Sequence, residues 1–271
     1  GLGDVYKRQY TYIMIICGGI FAQVLYNILA SILRALGNSK TPLYFLILAA
    51  LLNIVLDLTF IIVFHMGVAG AAWATITAQG VSGVLCLIYI IKYVPELRLK
   101  ADDWRFRSEI AKKEILVGIP MGLQYSITAI GSVILQASVN TLGSMAVAAV
   151  AAGSKVTLFF CCPFDALGGT MATYAGQNVG AGKLDRIKAG LKSSSIIGCI
   201  YAVIAFLILV FFSDKIALLF MDAGETETIR QVSMFLIANS AFYIPLVFVN
   251  VVRFTIQGMG YSTCLLYTSD A

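Results

Sequence analysis

Seven long apolar stretches, separated by short polar segments, set the pattern of this chain. They run approximately over residues 10–35, 43–64, 68–91, 115–140, 145–175, 193–212 and 231–257. Each is close to or longer than the roughly 20 residues that an α-helix needs to cross the hydrocarbon of a bilayer. Because unpaired backbone groups are costly in lipid, such runs are predicted to be helical. The pattern therefore predicts an all-α protein, a polytopic bundle of seven transmembrane helices.

The longest polar segment, residues 92–114, separates the third stretch from the fourth and holds seven basic and five acidic residues. Pro95 is expected to end the helix that precedes it. Trp104 and Phe106 give the segment an amphipathic character suited to a membrane surface. We interpret residues 94–114 as a connector between two helix bundles, residues 10–93 and 115–263. The alternative is a solvated loop within a single bundle.

Composition and charge support a membrane location. Hydrophobic residues make up 59% of the 271 residues and charged residues only 12%, about half of the roughly 25% charged residues of soluble domains. The net charge of +5 could indicate nucleic-acid binding, but the basic residues lie in short loops. One set of alternate loops holds thirteen Lys and Arg and the other set two. The excess predicts a cytoplasmic connector in a multi-pass inner (plasma) membrane protein with no nucleic-acid partner.

The two ends of the chain do not follow the pattern. Residues 1–9 and 264–271 match neither a transmembrane helix nor a signal peptide. They resemble adaptor-derived sequence at the ends of assembled fragments. We therefore expect both ends to be non-native and the natural protein to continue beyond them, and we leave them out of the fold prediction.

A faint repeat relates the first and last stretches. The first reads N-ILASILRAL-GNS from Asn27 and the last reads N-VVRFTIQGM-GYS from Asn250, so that Asn, Gly and Ser recur at the same spacings. On the predicted orientation both helices end on the cytoplasmic side. The repeat is therefore parallel, an arrangement that recurs in transporters.

Motifs for enzymatic chemistry fail when their spacing is checked. GQNVGAGK, residues 176–183, resembles a phosphate loop, but Ala181 occupies the second glycine position and Leu184 follows the lysine. The cysteines lie mostly inside apolar stretches without metal-binding spacing, and His65 is the only histidine. We expect a protein that is not an enzyme and has no cofactor.

Three ionisable residues lie inside the predicted spans: Asp57, Lys155 and Asp165, with Arg253 nearer the end of its span. An ionised group at mid-membrane costs at least about 3 kcal/mol, so each needs a partner or a wet cavity. We predict that Lys155 faces the interior of the second bundle or a central cavity rather than lipid. Structural roles are the alternative: Asp57 bonded to neighbouring polar groups, Lys155 extended toward the surface, and Asp165 near the inner surface.

Neutral polar residues and helix-distorting residues add to this picture. Asn53, Gln124 and Asn250 could line an ion or substrate pathway or simply hold helices together. The small residues 146–153 are expected to let a neighbouring helix approach closely. Pro163, together with the glycine pair at 168–169, is expected to bend the fifth span, and Pro245 to interrupt the seventh.

The ordered segments LRALGNSKTPLYF, LNIVLDLTFI, MGVAGAAWATITAQ, VGIPMGLQ and GQNVGAGKLDR resemble the multidrug and toxic compound extrusion (MATE) family. The resemblance covers nearly all of residues 10–263. It implies twelve helices in two six-helix bundles joined by a cytoplasmic connector. The seven spans would be family helices four to ten, so the chain would hold part of the two-bundle fold.

The resemblance also implies a function: a secondary active exporter, expected to be monomeric, that moves small organic, cationic or amphiphilic compounds out as Na⁺ or H⁺ enters. In one branch the coupling acids lie on the seventh and tenth helices, but Thr128 occupies the first position here and the span around Pro245 has no acid. In another branch the acid lies on the first helix, which this chain lacks. Asp57 matches a common family aspartate, without a role that can be carried over.

Two other functional classes were considered. A related flippase for lipid-linked oligosaccharide or polysaccharide shares the two-bundle plan, but a strongly cationic cavity would suit its substrates, and only Lys155 and Arg253 are cationic within the spans. A non-transporting scaffold would gain nothing from the cost of its buried charges. The sequence therefore favours the exporter.

Overall fold

The computed structural model describes residues 2–97, 103, 105–220 and 226–261, and within these residues the chain is helical and contains no strand. The helices are α1 (Leu2–Gly18), α2 (Ile20–Ala35), α3 (Lys40–Leu58), α4 (Gly67–Tyr93), α5 (Ser108–Asn140), α6 (Ser144–Gly180), α7 (Leu184–Ala217), α8 (Thr226–Ser240) and α9 (Tyr243–Gly258). A π-helical segment, Thr59–Val63, extends α3, and one 3₁₀ turn, Pro95–Leu97, follows α4. The all-α prediction is confirmed.

Five helical segments are long and apolar enough to cross a bilayer individually: Lys40–Val63, α4, α5, α6 and α7. Two further spans are bent pairs: α1 with α2, at 44°, and α8 with α9, at 48°. Counting each bent pair as one crossing gives the seven predicted spans.

The chain divides into two compact units, Gly1–Phe106 and Arg107–Ala271. The division falls inside the predicted connector. The last part of that predicted connector, residues 108–114, belongs to α5, which begins at Ser108. That stretch, SEIAKKE, consists mainly of good helix formers, so its charges lie on a helix rather than in a loop. Trp104 lies outside the described residues.

The turns follow the chemistry of their residues. Gly37 follows α2 in the left-handed conformation, with φ +84°. Val94, directly before Pro95, is extended and ends α4, because the proline ring excludes the helical conformation at the residue before it. The predicted turn at residues 65–67 is confirmed, with both His65 and Gly67 at positive φ. The predicted loop at 176–186 is only a tight turn, residues 181–183, because α6 continues to Gly180 and α7 begins at Leu184.

The helix bounds differ from the predictions in three further places. Residues 2–9, which we expected to lie outside the fold, belong to α1. The sixth span, predicted over 193–212, extends over the whole of α7, because the polar residues at both of its ends remain helical. The predicted polar outer segment from residue 213 to 230 is thus largely helix at its two ends, within the part that the structure describes.

The two bent spans confirm the expected interruption by Pro245 and reveal a second one. α8 ends at Ser240 and α9 restarts at Tyr243, which places Pro245 in the first turn of α9, where a missing N–H costs nothing. The other break lies at Gly18 and Gly19. By contrast, Pro163 lies inside α6 without ending it; the carbonyl of Phe160, one turn earlier, accepts a hydrogen bond of 3.0 Å from the Tyr201 hydroxyl.

The faint sequence repeat corresponds to a repeated helix geometry. α2 and α9 each contain 16 residues and each follow a break. Both end at a glycine of positive φ, Gly37 and Gly260. In both, the last two turn hydrogen bonds have the same pattern, with Asn38 N–H bonding to Leu33 O and Tyr261 N–H bonding to Ile256 O. These are the hydrogen bonds of a Schellman motif.

Small residues bring the helices of the first unit together. A Cβ at Gly19 would overlap the side chain of Ile76 on α4, and a Cβ at Gly83 would touch Leu25 and Tyr26 on α2. Without a hydrophobic force between helices in lipid, such close packing is a main source of association. The Tyr26 hydroxyl then donates to the Pro42 carbonyl at 2.8 Å and ties α2 to the start of α3.

The second unit depends on a still closer approach. A Cβ at Gly258 on α9 would overlap the carbonyl oxygen of Ala172 on α6 and lie 2.7 Å from its Cα. The neighbours here are backbone atoms, which cannot rotate away. The small residues 146–153 behave as predicted, because Gly153 accommodates the ring of Phe235 on α8.

We predict that Gly258→Ala separates α6 from α9 and destabilises the protein by roughly 1–3 kcal/mol, the usual cost of overpacking. The measurement is thermal unfolding of the purified full-length protein in detergent. Gly169→Ala is the control, because nothing lies within 4 Å of a Cβ built there and alanine favours a helix. Equal melting of the two variants would contradict the close crossing.

Candidate functional site

A polar cluster lies between α3 and α4 in the first unit. Asn53 and Asp57 are one turn apart on α3 and share a face. The Asn53 side-chain amide donates to the Thr75 hydroxyl at 3.5 Å, and that hydroxyl donates to the Ala71 carbonyl at 2.9 Å. Asn53 is therefore hydrogen-bonded to a hydroxyl of a second helix, α4. The sequence did not predict this contact.

Asp57 is the charged member of this cluster. The residue is half-buried, and its Oδ1 atom is buried and accepts no hydrogen bond. The side-chain oxygen of Gln79, one turn beyond Thr75 on α4, is buried and unbonded in the same way. Unbonded buried oxygens are costly, so the structural alternative for Asp57, a carboxylate satisfied by its neighbours, does not hold for this oxygen. Carboxylate, amide and hydroxyl oxygens are also the donors that hard cations prefer.

A second polar cluster joins α6 to α9 in the second unit. Asn250 is buried and lies between two charges: its side-chain N–H donates to Asp165 Oδ1 at 3.3 Å, and its oxygen accepts from the Arg253 guanidinium at 3.1 Å. The amide thus bridges an acid and a base. The structure brings together Asp165 and Asn250, two of the predicted residues, which are 85 positions apart in sequence.

Gln124 also has a partner in the second unit. Its side-chain oxygen accepts a hydrogen bond of 3.3 Å from the Gln257 amide. Asn250, Arg253 and Gln257 are spaced three and four residues apart, so they lie on one face of α9. Arg253 was already identified as an intramembrane charge, and this spacing is the signal that could have identified Gln257 from the sequence.

Lys155 was predicted to face the interior of the second bundle or a central cavity. It is exposed on α6, on the same side as Leu158 and Phe159, whose exposed fractions are 68% and 76%. The neighbouring Gly153 and Val156 are buried. The position of Lys155 inside the second bundle or at a central cavity stays a prediction.

The two clusters offer polar groups that can bind an ion or a polar molecule. Within the described residues no three His, Cys, Asp or Glu side chains are grouped as a metal site. The two clusters instead offer oxygens and amides between helices, one with an unbonded carboxylate oxygen and one with its acid and base joined.

Comparisons with known proteins agree on one family. The MatE family pattern matches residues 3–59 and 120–269. A probable multidrug resistance protein of Bacillus subtilis, YpnP, is 38% identical over 65% of this chain and 39% of its own length. An FAD transporter of Shewanella oneidensis is 27% identical over 79% of this chain and 48% of its own length.

Solved structures show the same fold. A crystal structure of MATE in complex with MaD5 matches with a TM-score of 0.88 and 22% identity, over 98% of this chain and 59% of that one. An outward-facing multidrug resistance MATE transporter of the MOP superfamily matches with a TM-score of 0.87, over 95% of this chain and 57% of that one. The chain spans about half the length of the relatives it matches, or less. By its matched residues, the chain belongs to the MatE family.

Proposed function

We propose that the full-length protein is a secondary active exporter of organic, cationic or amphiphilic compounds, coupled to the entry of Na⁺ or H⁺. The observation that carries this proposal is the unbonded, buried carboxylate oxygen of Asp57. A carboxylate in that position is costly while it is ionised and unpaired. Binding of a proton or a sodium ion removes the cost, and a conformation that hydrates the site releases the ion again.

The two intramembrane aspartates have different surroundings, which supports different roles. Asp165 is exposed and is bonded through Asn250 to Arg253, so a base on α9 lies near its charge. No such hydrogen bond reaches Asp57 Oδ1. An acid without a compensating base gains more from a cation, so Asp57 is the better candidate for coupling.

The substrate and the setting are argued from the relatives and from the charge pattern. The YpnP and YoeA proteins of Bacillus subtilis carry the description probable multidrug resistance protein. The proposed setting is a monomer in the inner membrane with its connector in the cytoplasm, which places thirteen of the basic loop residues inside. The alternative, a flippase for lipid-linked oligosaccharide or polysaccharide, is not favoured, because one of the two intramembrane cations, Arg253, is bonded to an internal partner.

We expect Asp57→Asn to abolish export while leaving the protein folded, because the amide keeps the shape of the carboxylate and removes the charge. Ethidium efflux from cells expressing the full-length protein should fall by at least about tenfold, the effect of removing 1.4 kcal/mol or more of coupling. Membrane abundance should equal that of the parent. Asp185→Asn, which removes an exposed acid from α7, is the control and should pump normally. Efflux by Asp57→Asn at the parental rate would refute the coupling role.

We expect Asp165→Asn to act on stability first, because it leaves Arg253 without its compensating acid. The loss should be roughly 1–3 kcal/mol, the value of a hydrogen bond to a charged group, measured as thermal unfolding in detergent. The double variant Asp165→Asn/Arg253→Gln removes both charges and should recover much of the loss. If the double variant is no more stable than the single one, the two charges do not compensate each other.

The proposed orientation is tested by cysteine labelling in a variant without the native cysteines. Thr141→Cys, in the exposed turn between α5 and α6, should react with a membrane-impermeant maleimide in intact cells. Glu109→Cys, at the start of α5, should react only after the cells are broken, because the connector is cytoplasmic. The reverse pattern would invert the topology.

A further inference from the structure

One cavity of the second unit plays no part in the proposed transport. It is a groove of about 380 Å³ between the first turns of α7 and the last turns of α9. Each helix contributes a stripe at positions i, i+3, i+4 and i+7, and the two stripes face each other. The lining residues are Leu184, Ile187, Lys188, Leu191, Val252, Thr255, Ile256 and Met259.

The groove is open because α7 and α9 approach each other closely only at a point farther from this end of the two helices. Gly198 on α7 lies against Val247 on α9, so closely that a Cβ on the glycine would overlap the valine. Lys188 precedes Gly198 by ten residues, or about 15 Å along the helix. Over that distance side chains larger than glycine hold the helices apart and leave the groove open.

The floor and the rim of the groove differ in polarity. Ile187 and Thr255 are buried on the floor, where the Thr255 hydroxyl is already bonded to the Val251 carbonyl. The interior is therefore apolar in effect. Lys188 is exposed at the rim, and Lys192 follows one turn later on the same side of α7.

We propose that this groove binds an anionic phospholipid of the cytoplasmic leaflet, with an acyl chain between α7 and α9 and the phosphate at Lys188 and Lys192. Charge complementarity selects this occupant over a neutral lipid. Asp185 lies one turn before Lys188 and is the one acid near the rim on α7; the surrounding bases Lys183 and Arg186 leave the helix start strongly positive. Basic sites between helices on the cytoplasmic side suit such head groups. The volume also falls within the roughly 300–1,000 Å³ of ligand pockets.

The test is native mass spectrometry of the purified full-length protein in detergent, titrated with phosphatidylglycerol and phosphatidylcholine in equal amounts. We expect preferential binding of phosphatidylglycerol. Lys188→Gln should weaken it about fivefold, the effect of one basic residue near an anionic head group, and Val252→Trp should abolish it by filling the groove. The matched controls are Lys215→Gln, which removes an equal charge from the exposed far end of α7, and Val249→Trp, an exposed α9 position outside the lining.

Four results would overturn the proposal. Equal binding of phosphatidylcholine would show that charge does not select the lipid. Equal weakening by Lys215→Gln would show that the net charge of the protein, not a site at Lys188, attracts the head group. Soluble glycerol phosphate that competes fully with the lipid would show a head-group site without an acyl chain. Finally, Val252→Cys that fails to react with a lipid-soluble maleimide would show that another part of the full-length protein fills the groove.

Discussion

The backbone contact between Gly258 and Ala172 fixes the position of α9 on α6, and the second unit depends on it. A hydrocarbon solvent gives helices little reason to associate, so close backbone approach has to supply the attraction. This crossing sets the register of α9, and the register brings Asn250 to Asp165 and Gln257 to Gln124. The polar contacts between the helices therefore depend on a glycine, Gly258, at the crossing.

The two units use their intramembrane acids differently. In the second unit an amide joins an acid to a base, and Arg253 Nε and Gln257 Oε1 nearby are buried without a hydrogen bond. In the first unit the Asp57 oxygen has no such partner, and the neighbouring Asn53 and Thr75 bond to each other and to backbone. A buried carboxylate oxygen that accepts no hydrogen bond contributes little to stability and is well suited to bind a cation. On the proposed function, the first unit holds the acid that couples transport, and the polar groups of the second unit hold its helices together.

Much of the fold could be predicted from the sequence, because few backbone structures are stable in lipid. The seven crossings, the end of α4 before Pro95 and the left-handed Gly37 follow from local chemistry. Helix ends were less predictable, since the charged residues at 108–114 and 184–192 remain helical where polar segments between spans were expected. The site was only partly predictable: Asp165 and Asn250 were identified individually, but their contact depends on the crossing of α6 and α9. The location of Lys155 stays a prediction, because the cost of a buried charge alone does not say which face of a helix is packed.

The repeated break has a consequence for how the protein meets its membrane. α2 and α9 are 16 residues long, or about 24 Å each, which is shorter than the roughly 30 Å of hydrocarbon. A single helix of this length does not cross the hydrocarbon, so the helix on the other side of each break completes the crossing. At the breaks, Gly19 N–H still bonds to Ile15 O and Phe242 N–H to Asn239 O. The bends therefore leave these two backbone donors hydrogen-bonded. Two crossings can then match a thicker or thinner bilayer by changing their bend angles, while the helices that hold the polar clusters keep their tilt.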